Sequence, residues 1–183
     1  MLRVTPLPGL PDVRMLRPTV HHDVRGWLFE PYNADDFAEH GIREAWCQDA
    51  HSRSAPGTIR GLHYQLNPPQ SKLVRAVTGR IWDVVVDVRR SSPTLGRWAS
   101  VVIDAATHDV LYVPAGYAHG FLVLGEAPAE VHYKLAGRRD PASERAIRWD
   151  DPDVQVVWPR ERPQVLSARD HAAPRLIDAD TLP

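Results

Sequence analysis

Between Arg80 and Arg89 apolar and charged side chains alternate, with Trp82, Val84, Val86 and Val88 on one face of a strand and Asp83, Asp87 and Arg89 on the other. The apolar face is a core face, and the charged face borders a wet cavity or solvent. Short runs of similar composition, rich in Val, Ile, Trp and Tyr, recur along the chain between Gly and Pro residues. They predict strands over Val13 to Val20, Trp27 to Glu30, Ile42 to Gln48, Thr58 to Gln65, Lys72 to Val77, Trp98 to Ile103, Val110 to Val113, His119 to Leu124 and Glu130 to Leu135. His22 to Gly26 and Thr78-Gly79 read as turns, and Asp49 to Gly57 as a polar loop. One helix is expected over Ala34 to His40, acidic at its start and closed by Gly41. After Gly137 the pattern becomes irregular until Ser167, which with Asp170 forms a helix N-terminal box. Many short strands with short peripheral helices predict an all-β fold, a double-sheet jelly-roll barrel.

Composition narrows this further. The 183 residues suit a single domain over 1–183, with a barrel core at about 13–136 and an irregular C-terminal segment at 137–183. A formal charge of -1 supplies no field that would recruit nucleic acid or an anionic membrane. Cys47 is the sole cysteine and has no intrachain partner. Arg3, Pro6, Pro8, Gly9, Pro11 and Arg14 interrupt the N-terminal stretch, and no later segment is long and apolar enough to cross a bilayer. A soluble, cytoplasmic protein is expected.

The chemistry concentrates in Arg60-Gly61-Leu62-His63-Tyr64-Gln65, followed by a Pro-Pro break and Lys72. Polar groups of this kind on a half-buried strand must find partners or cost free energy. With Val113-Pro114-Ala115-Gly116-Tyr117-Ala118-His119-Gly120-Phe121, this stretch resembles the paired signatures of the cupin superfamily. Metal-binding cupins take ligands from a His-x-His, a downstream Glu and a later His. Here His63 and His119 remain, Gln65 replaces an imidazole and Lys72 stands in the carboxylate position. An ammonium has no lone pair to offer a divalent ion, so no metal is expected. Arg60 and His63 would lie on opposite faces of a regular strand, and a bulge at Gly61 would bring both to one side.

The resemblance extends to a narrower family. The two stretches above, together with Lys72-Leu73-Val74-Arg75, Asp83-Val84-Val85-Val86-Asp87-Val88-Arg89, Ser92-Pro93-Thr94-Leu95-Gly96 and Leu166-Ser167-Ala168-Arg169-Asp170, closely resemble the dTDP-4-dehydrorhamnose 3,5-epimerase family. The resemblance implies a metal-free and cofactor-free homodimeric cupin acting on a nucleotide-linked 4-keto-6-deoxyhexose. It would invert C3 and C5 of dTDP-4-keto-6-deoxy-D-glucose and give dTDP-4-keto-L-rhamnose.

By the same resemblance His63 is the proton acceptor, oriented by Asp170, and Tyr133 is the proton donor, with Lys72 facing the enolate oxygen. Arg60, Gln48 and His119 would contact the diphosphate and sugar, with Glu144 and Arg169 as further binding residues. Arg25 and Glu30 would reach the nucleotide from the neighbouring subunit. The chain departs from the family pattern at Ala50, where an Asn is usual, and at Arg139, where an aromatic ring would stack on thymine. A guanidinium can lie over a base in its place. Other readings are an epimerase of C3 or C5 alone, a ketoisomerase on the same fold, a metal-dependent oxygenase, disfavoured by Gln65 and Lys72, and a non-catalytic sugar-nucleotide-binding cupin.

Overall fold

Pro8-Gly9 folds the N-terminal chain into a hairpin of β1 (Arg3–Leu7) and β2 (Leu10–Arg17), with Gly9 at φ 83°. The sequence pattern places the opening strand later, at Val13 to Val20, because Pro6, Pro8 and Pro11 break its alternation. The prolines are tolerated since β1 is an edge strand. The computed structural model describes residues 2–159 and 164–183, so part of the C-terminal segment, 160–163, lies outside the described residues.

The remaining strands are β3 (His21–Asp23), β4 (Gly26–Leu28), β5 (Trp46–Ser54), β6 (Ile59–Gln65), β7 (Ser71–Thr78), β8 (Arg80–Asp87), β9 (Trp98–Asp104), β10 (Val110–Val113), β11 (Tyr117–Leu124), β12 (Ala129–Ala136) and β13 (Glu144–Ala146). They form a six-stranded sheet in the order β1-β2-β10-β7-β12-β5 and a five-stranded sheet in the order β13-β6-β11-β8-β9, with β3 and β4 as a separate hairpin. Val13 and Met15 of β2, Val74 of β7 and Leu111 of β10 meet Ile81, Val85, Phe121 and Val123 of the other sheet to fill the barrel. The two-sheet architecture is the one expected.

Helix α1 (Ala34–Glu39) begins at Asn33, whose side chain accepts from the N–H groups of Asp35 and Asp36. It ends at Gly41, which takes φ 74°, and packs Phe37 beside Ile42, Leu16, Leu73 and Tyr112 on the outer face of the six-stranded sheet. Helix α2 (Ala168–His171) starts at Ser167, whose hydroxyl accepts from the Asp170 N–H at 3.1 Å. Both helix starts follow the sequence signals.

The five-stranded sheet is covered on both faces. Outside the barrel, Leu62, Val84, Val86, Val88 and Leu122 pack against Ile147, Val154, Trp158 and Leu182 of the C-terminal segment. The alternation of β8 therefore does not separate core from solvent. Asp83 and Asp87, on its polar face, are themselves fully buried. Asp87 accepts from Arg89 Nη2, Ser92 Oγ and Thr94 Oγ1, each at 2.6 Å. Burial pushes its carboxyl up, but these bonds outweigh that and hold it at about 2. The Ser92-to-Gly96 motif thus closes one end of the barrel around a buried carboxylate.

Three further sequence expectations are corrected. Asp49 to Gly57 is not a loop: its first part lies in β5, which pairs antiparallel with β12 from Trp46↔Ala136 to Ser54↔Ala129. The strand is polar because one face lines a polar cavity and the other is in solvent. Its predecessor, Ile42 to Gln48, becomes extended only from Trp46, since Ile42 is used to close α1. Trp27 to Glu30 likewise forms a strand only as far as Leu28.

Gly61 sits at φ 134° in a bulge of β6. Between the pairs His63↔His119 and Arg60↔Phe121, β6 carries one residue more than β11, and Arg60 and His63 thereby point to the same side. The backbones touch here: a Cβ on Gly120 would lie 2.6 Å from the Arg60 carbonyl oxygen, and one on Gly61 2.6 Å from the Gly120 Cα. Gly120→Ala should lower stability by about 1–3 kcal/mol through overpacking. Gly9→Ala, where nothing lies within 4 Å, should cost only the left-handed penalty, about 1–2 kcal/mol. Denaturant unfolding at matched m values checks the pair, and the Gly120 variant should also lose activity as β6 shifts.

Candidate active site

A cavity of about 470 Å³ opens between the sheets. Its walls combine β5, β7 and β12 from one sheet with β6, β11 and β13 from the other, and α2 caps one side. The bulge at Gly61 puts His63 on this wall. Its Nε2 meets Asp170 Oδ1 at 2.6 Å, and Asp170 Oδ2 accepts the Gly61 N–H at 3.4 Å. Burial would raise the Asp170 carboxyl, yet the bonds and charge from His63 and the N–H of Gly61 win and hold it below the usual range. One imidazole nitrogen is thus committed to Asp170, and the other is left to exchange a proton with a bound molecule.

Lys72, on β7, donates to the His63 carbonyl oxygen at 3.0 Å. Burial draws its ammonium down to about 8, against the opposing pull of Asp83 and Glu144. Tyr133 stands on β12, with its ring edge-on to His119 at 6.3 Å between centroids. Burial pushes its phenol above the ordinary value, and the nearby Ser52 hydroxyl and the charge of Arg60 only partly offset this. A proton on this oxygen is firmly held until a stronger base forms beside it.

His119 and Asp83 form a second imidazole–carboxylate pair at 2.8 Å, both buried. Asp83 is absent from the sequence-derived site; its place on the polar face of β8 is the signal that marks it. Arg60 donates to Ser54 Oγ at 2.9 Å and through Nη2 to the Arg53 carbonyl at 3.5 Å, and it lines the cavity wall with Gln48 and Ala50. At the mouth, Glu144 is shared by Arg139 at 2.6 Å and Arg169 at 3.1 Å. Gln65 is fully used within the protein: its amide donates to the carbonyls of Pro68 at 2.5 Å and Arg138 at 2.9 Å, and its oxygen accepts the Asp140 N–H at 2.8 Å. It ties β6 to the chain that carries Arg139.

Arg25 and Glu30 are not brought to this cavity within one chain. Arg25 is exposed and held by Asp23 at 2.5 Å, and Glu30 lines a separate recess with His21 and Phe37. Among the described residues, no group of three or more His, Cys, Asp and Glu is placed to hold a metal ion, and no helix is long and apolar enough to cross a membrane.

An imidazole on one sheet and a phenol on the other, lining one cavity with the ammonium of Lys72, suit proton removal and return rather than group transfer. The class is that of the cupin-type barrel isomerases. Within it, the family model for dTDP-4-dehydrorhamnose 3,5-epimerase matches residues 8–178, and the chain belongs to that family. The Pseudomonas aeruginosa protein named dTDP-4-dehydrorhamnose 3,5-epimerase is 45% identical over 176 residues, 96% of this chain and 97% of its own length. The crystal structure of dTDP-6-deoxy-D-glucose-3,5-epimerase from Legionella pneumophila, in complex with dTDP-4-keto-L-rhamnose, superimposes with a TM-score of 0.94 at 35% identity, covering 98% of this chain and 95% of that one. A 3'-monoepimerase from Streptomyces bikiniensis in complex with dTDP-quinovose gives 0.87 at 36% identity, over 94% and 87%.

Because the folded carboxyl of Asp170 is depressed, its contribution to stability is complete above the unfolded value of ~3.9 and is lost as pH falls through the folded one. Asp170→Asn should therefore unfold more easily than the parent at neutral pH and show a shallower loss of stability below about pH 4. Thermal unfolding followed from pH 7 to pH 2 measures both. Parallel curves would show that the His63–Asp170 bond contributes nothing to the fold.

Proposed function

We propose that the protein inverts C3 and C5 of dTDP-4-keto-6-deoxy-D-glucose to give dTDP-4-keto-L-rhamnose. The observation that carries the reading is the placement of His63 with Asp170 on the five-stranded side of the cavity and Tyr133 on the six-stranded side. Inversion beside a ketone needs a base on one face of the carbon and an acid on the other. His63 takes the α-proton, the charge moves to the ketone oxygen, and Tyr133 returns a proton to the opposite face. Asp170 holds the imidazole and stabilises its charged form. Lys72 faces the enolate oxygen, where a cation in a water-poor site counts for more than in solution.

In this reading Arg60 and Arg169 grip the diphosphate, for which a guanidinium offers bidentate bonds. Gln48 and His119 position the sugar. Glu144 holds Arg139 and Arg169 at the mouth in the free protein, and the diphosphate competes for those guanidiniums on binding. Arg139 then lies over the base. Arg25 and Glu30 serve the nucleotide site of a second copy, in a homodimer built through the N-terminal half. The exposure of Trp27 at 57% and Leu28 at 66% on the β3–β4 hairpin supports that arrangement.

Inversion of one carbon alone is the second reading, favoured by the close likeness to the 3'-monoepimerase. Incubation with the keto sugar in deuterium oxide, with C3 and C5 followed by NMR, separates the two. His63→Ala should lose exchange at both carbons by ~10²- to 10⁴-fold. Tyr133→Phe should keep exchange at one carbon while inversion falls, and a parallel loss of both would refute the division of labour. Arg139→Ala should raise KM about tenfold with kcat nearly unchanged, a loss of ~1.4 kcal/mol in binding. Equal affinity of that variant and the parent for dTDP and UDP sugars would remove Arg139 from base recognition.

A further inference from the structure

Asp83 is fully buried and projects from β8 into the barrel, but its oxygens are unequally served. Oδ2 bonds His119 Nε2 at 2.8 Å, whereas Oδ1 has no hydrogen-bond partner among the described residues. A neutral Asn could orient His119 without burying a charge, so orientation alone does not explain a carboxylate here. The charged and titratable groups around it come from every adjoining strand: Arg60 and His63 on β6, Lys72 on β7, His119 on β11, Tyr133 on β12 and Glu144 on β13. Glu144 is already balanced by Arg139 and Arg169. His119 does not balance Asp83, because burial keeps the imidazole neutral, with Lys72 and His63 adding to that effect. Burial raises the Asp83 carboxyl, and His119 and Lys72 act to lower it, so Lys72 is the cavity cation whose charge reaches Asp83.

We propose that Asp83 is a positioning residue: its carboxylate keeps the Lys72 ammonium charged inside the cavity and fixes His119 as a neutral imidazole with its Nε2 proton turned away from the substrate. Lys72 without this counter-charge would give up its proton at lower pH, the direction in which desolvation already draws it. His119, with Nε2–H committed to Asp83, presents a lone pair and so receives a hydroxyl of the sugar rather than a phosphate oxygen. The role of Lys72 in turnover rests on the epimerase reading above. The charge relation between Asp83 and Lys72 does not.

The test is NMR titration of the Lys72 Nζ and the Asp83 carboxyl carbon in the ligand-free protein, beside pH profiles of kcat/KM. In the parent, Asp83 should be a carboxylate at neutral pH and Lys72 should titrate at about 8. Asp83→Asn should lower the Lys72 titration by about one unit and move the alkaline limb of kcat/KM down with it, while KM changes little. Asp83→Glu, which keeps the charge, should hold both near the parent. A Lys72 titration unmoved in Asp83→Asn overturns the proposal. So does a neutral Asp83 carboxyl in the parent at pH 7, a result available even if the amide variant does not fold. A shifted Lys72 in a protein that exchanges no substrate protons would support the proposal and defeat the epimerase reading alone.

Discussion

The bond between His63 and Asp170 joins residues 107 apart in sequence, and much of the molecule is arranged so that it can form. Asp170 reaches the cavity only because the chain after Gly137 returns across the outer face of the five-stranded sheet. That path is held by Ile147, Val154 and Trp158 against β6, β8 and β11, and by the exchange of backbone bonds between Leu62 and Ile147 at 3.2 and 3.0 Å. The segment that reads as irregular is therefore half of a hydrophobic layer. It covers a sheet face that would otherwise be exposed, and its helix α2 carries the carboxylate that meets His63.

The local signals in the sequence were legible where one physical rule governs a stretch. The acidic start of α1, its stop at Gly41 and the Ser167 cap of α2 are such signals, and the Gly61 bulge follows from the need to put Arg60 and His63 on one wall. Legibility failed where the environment is not divided into core and solvent. In β5 neither face is hydrocarbon, so Asp49-Ala50-His51-Ser52 has no apolar rhythm and reads as a loop. In β8 both faces are buried, so alternation marks two different interiors. Asp83 and Asp87 sit in the same polar register, yet Asp87 is saturated with donors and structural, while Asp83 keeps a bare oxygen. Their difference lies in partners from distant strands, which spacing cannot reveal.

Gln65 illustrates how tertiary contacts reassign a residue. From its position beside His63 it reads as the remnant of a metal-ligand set. In the fold both ends of its amide are occupied by backbone groups of 68, 138 and 140. Its two N–H bonds and the Asp140 N–H fix the orientation of the amide toward this backbone. Its present use is mechanical: it fixes the path of the chain that delivers Arg139 and Glu144 to the cavity mouth, and so couples the chemical wall to the binding rim.

The cavity-wall side chains and the proposed nucleotide contacts are held with different stiffness. His63, Lys72, His119 and Tyr133 stand on strands with paired neighbours on both sides, where backbone bonds limit displacement. Arg139 and Arg169 sit on the loop and short helix at the rim, restrained by a shared carboxylate. Arg25 rests on a hairpin whose residues are all exposed and which a two-stranded ribbon cannot stabilise alone. Its ring cluster of Trp27 and Phe29 on His108, with centroids at 4.3 and 4.7 Å, anchors only its base. The proposed homodimer answers this instability, since a second copy would bury the hairpin and use Arg25 and Glu30 at its own cavity. The rigid centre then needs only one subunit, whereas the recognition of the nucleotide needs both, and binding affinity rather than proton exchange becomes the property most sensitive to assembly.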